Sequence, residues 1–145
     1  MNIENLGEPD LHLLGLKLWI PSRQFADSTD YWDGNWVYVT ACCSAPFSQV
    51  YAQGSFLHLS ELQHWLEQLK LLHKNSKGVA EMDCMEPNFY ARIELNSLGT
   101  GTLVVKLTPN HLSQKHEVEF EIDQSYLPKA IKDIEEIMKT YPIKK

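Results

Sequence analysis

Cysteine, basic charge and long apolar runs are all scarce in this chain, and each shortage excludes something. Its three cysteines, Cys42, Cys43 and Cys84, are an odd number, and the first two are neighbours in a strand-like segment whose successive side chains point to opposite faces. A disulfide framework is therefore not expected, and a reducing cytoplasm is the natural setting. No apolar run approaches the roughly 20 residues that cross a bilayer, and Met1-Asn2-Ile3-Glu4-Asn5 lacks the positive and apolar regions of a secretory signal. A cytoplasmic protein with no membrane attachment is the expectation. The 13 Lys and Arg are outnumbered by 19 Asp and Glu, leaving −6. That sign disfavours nucleic acid as a partner, because phosphate recognition needs cations.

Motifs for chemistry are missing too. There is no Gly-x-Ser-x-Gly to announce a nucleophilic serine. Cys42 and Cys43 lie in an apolar stretch without Cys-x-x-Cys spacing or a nearby Lys or Arg, so they read as buried structural thiols. Among six histidines, His58, His64 and His73 share no i, i+4 face, and His111 and His116 flank a turn with no partner ligand at a familiar interval. Asp27, Asp30 and Asp33 are spaced too widely for a calcium loop and lack its closing glutamate. Gly99 and Gly101 join two strands and precede no helix, so they do not form a phosphate cradle. Strand alternation explains two of Glu81, Asp83 and Glu86 as a polar face without invoking acid–base work. No enzyme, metal site or cofactor is expected.

What is present is the patterning of a folded protein. With 145 residues, 43% of them hydrophobic and 22% charged, the chain suits a single domain over 1–145. The first strands lie over about 11–54: Leu11 to Ile20 stopped by Pro21, Trp36 to Cys42, and a third through Phe47, Val50, Tyr51 and Ala52 that ends near Gly54. Ser60, with Gln63 three residues on, reads as the N-cap of a helix over about 60–74, on which Leu62, Trp65, Leu66, Leu69 and Leu72 share a face. Further strands occupy about 79–123. A last helix over about 125–141 carries Leu127, Ala130, Ile131, Ile134, Ile137 and Met138, with Pro128 in its first turn beneath a Ser125 or Asp123 cap. Since strands and helices do not alternate as βαβ units, an α+β fold is predicted, an antiparallel sheet with two helices packed on one face.

Two surface features stand out. In Asp27 to Trp36, aromatic rings alternate with carboxylates in a loop, a mixture suited to recognition; alternatively, Trp32 and Trp36 fold inward while Asp33 and Gly34 shape the turn. The second is the row Glu117, Glu119 and Glu121, continued by Asp123. Like charges two apart on a strand need solvent, a neighbouring cation such as Arg92 or Lys106, or a partner.

Asp30-Tyr31-Trp32-Asp33-Gly34-Asn35-Trp36 and Asp123-Gln124-Ser125-Tyr126-Leu127, with the helix start Leu59-Ser60-Glu61-Leu62 between them, give the chain from about Leu11 to Tyr141 a familiar layout. It resembles the WapI-type immunity proteins, small bacterial cytoplasmic proteins that neutralise a toxin domain delivered between neighbouring cells. The resemblance implies a non-catalytic binder that occludes a toxin domain, and an acidic surface suits a basic one. Asp30, Trp32, Asp33, Glu117, Glu119 and Glu121 are the candidate binding residues. The rival reading is a small regulatory or ligand-binding domain, which requires an apolar pocket with a few convergent polar groups. Edge strands leave a dimer open. Charge is unevenly spread: residues 1–123 hold 16 acids and 8 bases, whereas residues 124–145 hold 3 acids and 5 bases.

Overall fold

The computed structural model describes residues 3–145 and arranges their strands in two antiparallel four-stranded meanders. The first sheet contains β1 (Leu11–Leu13), β2 (Leu16–Arg23), β3 (Trp36–Ala45) and β4 (Ser48–His58), in that order. The second contains β5 (Gly78–Asp83), β6 (Phe89–Leu95), β7 (Thr100–Leu107) and β8 (Glu117–Asp123). A short helix α1 (Tyr31–Gly34) precedes β3, the long helix α2 (Leu59–Asn75) separates the sheets, and α3 (Leu127–Thr140) follows the second. The α+β, antiparallel reading holds. The strands divide into two sheets rather than one, with α2 joining the last strand of the first sheet to the first strand of the second.

Each helix closes the first strand of the sheet that the other helix follows. α2 packs on β5, α3 packs on β1, and the helices pack on each other. Asp133 of α3 accepts the outward backbone N–H of His12 on β1 at 3.1 Å, while Gln68 of α2 engages both backbone groups of Glu81 on β5. An unpaired strand edge is a template for further pairing, and side chains used this way remove it.

Several local expectations change. The stretch read as one strand from Leu11 to Ile20 is a hairpin, turned at Leu14, whose φ is +53°, and Gly15. Pro21 does not stop β2, since the register shift between Trp19 and Ser22 accommodates it and the strand runs on to Arg23. The strand expected to end near Gly54 continues to His58, past an irregularity opposite Val37 to Val39. The cap of α2 is His58 rather than Ser60, with Glu61 rather than Gln63 completing the capping box. Asp123 caps the turn Gln124–Tyr126 that leads into α3, where Pro128 sits in the first turn.

One cluster of buried side chains runs through both sheets and both long helices. The apolar stripe of α2, with Trp65 and Leu69 fully buried, is central to it. Each such side chain contributes about 1.5–3 kcal/mol on removal from water. Among the described residues no helix is long and apolar enough to cross a membrane.

Candidate partner-binding site

The aromatic loop divides between the two readings of its sequence. Asp30 is held as the cap of α1, its carboxylate accepting the Asp33 backbone N–H at 2.7 Å and the Ser28 hydroxyl at 3.3 Å. The turn that follows leaves Tyr31 and Trp32 about half exposed, at 47% and 51%, and sends Trp36 inward. Asp33 is exposed. His58, wholly buried, lies beneath this pair: Trp32 stacks on its ring at 5.2 Å, and Trp36 meets it edge-on at 5.0 Å. The bonding of the imidazole assigns its tautomer. Nε2 donates to the Trp32 carbonyl at 3.1 Å, a group that only accepts, and Nδ1 accepts the Ser60 backbone N–H at 3.3 Å.

Under the loop, Asn35 is fully buried with its amide satisfied on both sides. Its Nδ2 donates to the carbonyls of Tyr31 and Lys144 at 2.7 and 2.9 Å, and its Oδ1 accepts from the Lys144 N–H at 2.9 Å and from Arg23 at 3.2 Å. Arg23 also donates to the carbonyls of Gly34, at 2.7 Å, and Pro142. Lys144 Nζ donates to the carbonyls of Ala26 and Ser28. The chain's C-terminal residues thus brace the loop that presents Trp32. Sequence reasoning missed Asn35, Arg23 and Lys144 because the contacts that join them to the C-terminal segment span more than a hundred residues of chain.

The glutamate row occupies a larger surface than its own strand. By register, the face of the second sheet away from the core carries Glu81 and Asp83 from β5, Tyr90, Arg92 and Glu94 from β6, Thr102, Val104 and Lys106 from β7, and Glu117, Glu119 and Glu121 from β8. With Asp123, opposite Thr100 at the end of β8, seven carboxylates therefore face two cations. Lys106 pairs with Glu117 at 3.7 Å, while Arg92 turns to Glu94, at 3.1 Å, and Glu81, at 3.9 Å. Of the two cations expected to offset the row, only Lys106 does so. Glu119 and Glu121 have no ion pair among the described residues. Glu81, Asp83 and Glu94 were legible as alternating polar positions, but which strand each would adjoin was not.

Asp30, Trp32 and Asp33 stand beside the first sheet and Glu117, Glu119 and Glu121 on the second. Among the described residues no hydrogen bond or ion pair joins the two groups. The thiols are poorly suited to nucleophilic work. Burial pushes the Cys43 thiol up to about 11, with Cys42 adding to the shift, and burial followed by the charge of Glu61 raises Cys84 further. All three cysteines are free and buried. A cavity of about 470 Å³ at one end of the second sheet is lined by Pro87, Lys106, Thr108, Lys115, His116 and Glu117. Its lining includes three charged side chains, Lys106, Lys115 and Glu117, and no large apolar one, unlike the hydrophobic and aromatic lining typical of a small-ligand pocket.

The fold and these surfaces define an α+β protein that offers an aromatic loop and an open acidic sheet face. The chain belongs to the WapI-like immunity protein family, whose profile matches residues 10–142. Membership gives it a toxin-immunity role in general, with a protein toxin as partner, in a family type that is generally non-catalytic. Neither a curated protein nor a solved structure is matched by the chain.

Proposed function

We propose that the protein works in the cytoplasm as a stoichiometric inhibitor, binding a cognate toxin domain of basic character and covering its active or substrate-binding surface. The observation that supports this reading is the acidic face of the second sheet, where Glu119 and Glu121 are exposed beside only two cations. Such a surface speeds encounter with a basic partner and disfavours wrong ones. Asp30, Trp32 and Asp33 supply a second contact region, in which Trp32 is the anchor of hot-spot type, half exposed and held in place by the His58 stack.

The reading is tested by rescue. Cells producing the variable C-terminal domain of a secreted repeat protein encoded beside this gene are expected to survive when the chain is co-produced, and equal killing with and without it rejects the proposal. Replacing Glu117, Glu119 and Glu121 together by Gln is expected to slow association at low salt by about tenfold, with a smaller difference at high salt. An unchanged rate at low salt removes the glutamate row from the binding face.

A further inference from the structure

The second sheet has one closed edge and one open edge, and the open edge is β8. Hydrogen bonding settles which of its backbone groups are free. Leu107 N–H bonds to the His116 carbonyl and Gln124 N–H to the Gly99 carbonyl, so the alternation of an antiparallel ladder directs Val118, Phe120 and Ile122 toward β7. The N–H and C=O groups of Glu117, Glu119 and Glu121 consequently point outward. Of the other three edges, β1 is met by Asp133 and β5 by Gln68, while β4 runs in regular register over Ser48–Gly54 and carries no charged side chain. Among the described residues β8 is the unpaired edge that carries a row of carboxylates.

We infer that β8 accepts an extended segment of the toxin partner as a further antiparallel strand, one that alternates basic and apolar residues. The inference rests on the toxin-binding reading above and specifies how the partner is held. Residues of an added strand lying directly opposite Glu117, Glu119 and Glu121 share their face of the sheet, so Lys or Arg there meets a carboxylate at each hydrogen-bonded pair. The intervening residues turn to the side of Val118 and Phe120, where apolar groups fit. A second copy of this chain is a poor occupant. Antiparallel pairing of two β8 strands about Glu119 sets carboxylate beside carboxylate along the whole row.

The experiment uses the full chain and a synthetic peptide alternating lysine and valine, with binding followed by calorimetry. The peptide is expected to bind, and its glutamate-for-lysine counterpart is not. Methylating the lysine amide nitrogens, which face β8 in the added strand, is expected to weaken binding by about tenfold or more, whereas methylating the valine amides leaves it unchanged. Glu119→Pro removes one outward N–H without removing a bond to β7, and is expected to lose peptide affinity to a similar extent at unchanged thermal stability. If that variant is destabilised, the methylated peptides on the unaltered protein decide the matter. Equal affinity of the two methylated peptides shows attraction by charge alone and overturns strand addition, as does failure of the lysine–valine peptide to bind or dimerisation of the free protein through β8. Full protection of toxin-producing cells by Glu119→Pro rejects the edge inference while leaving the immunity reading intact; failure of the unaltered chain to protect rejects that reading instead.

Discussion

Gln68 and Glu81 are joined as two strands would be. The side-chain amide of Gln68 on α2 donates to the Glu81 carbonyl at 3.1 Å and accepts the Glu81 N–H at 2.8 Å, so one residue of a helix stands in for a neighbouring strand at the edge of β5. Gln68→Ala is expected to cost about 1–3 kcal/mol in urea unfolding, since two partly buried backbone groups lose their partners. Gln68→Glu is expected to fare no better, because a carboxylate has no N–H for the Glu81 carbonyl. Unfolding midpoints unchanged in both variants would show that water replaces the amide at no cost.

Gly15 owes its identity to a close approach of backbone and ring. A Cβ placed there lies 2.0 Å from the Ser44 carbonyl oxygen and 2.7 Å from the Phe120 ring. Gly15→Ala forces the β1–β2 turn away from β3 and from β8 at once, and a loss of about 3 kcal/mol or more is expected. At Gly7, whose φ is +74° but which has open space around a Cβ, alanine is expected to cost about 1 kcal/mol. Thermal unfolding of the two variants tests the contrast, and similar melting points would contradict it.

Asn35 predicts an unusual sensitivity at the C-terminus. Deleting Lys144 and Lys145 removes both backbone partners that Lys144 gives the Asn35 amide and the ammonium that braces residues 26–28. A loss of about 2–3 kcal/mol is expected, where trimming an undocked terminus costs almost nothing. Asn35→Ala is expected to cost at least as much and to expose the end of the chain to carboxypeptidase. Resistance of that end in Asn35→Ala would refute the brace.

Alkaline pH is expected to weaken the fold. The Cys43 thiol is raised from 9.0 to about 11, chiefly by burial, and the Tyr90 hydroxyl from 10.0 to about 12, by burial and then by its hydrogen bond to Glu81. Both groups hold their protons in the folded chain over a range where the unfolded chain has released them. Their contribution is therefore complete below about pH 9 and is lost as the pH climbs toward about 12. Urea midpoints measured upward from neutral pH should decline through that window, and Cys43→Ala should decline less steeply. A flat profile in the unaltered chain would show that neither group is coupled to folding.

How much of this was legible in advance depends on the range of the interaction. The Glu117, Glu119 and Glu121 row, the stripe of α2 and the stripe of α3 follow from periods of two and 3.6 residues, which a few neighbouring positions reveal. The helix cap lies two residues before the expected one, because Ser60 and His58 are both capable acceptors and the Trp32 carbonyl holds the His58 imidazole from its other side. Leu11 to Ile20 reads as one strand for a similar reason. Nothing within the segment itself shows that Ser44 and Phe120 will close on Gly15.

By itself, then, the sequence determined the strand and helix periodicities, the antiparallel α+β class, the acidity of the first 123 residues and the motifs shared with the immunity family. The tertiary structure decided that the strands form two sheets, that Asp133 and Gln68 close two of the edges, and that β8 is left open with its glutamates outward. The physical reason is that side-chain periodicity is a property of the local backbone. An edge, by contrast, is closed only when a group such as Asp133, 121 residues from His12 in the chain, arrives within hydrogen-bonding distance.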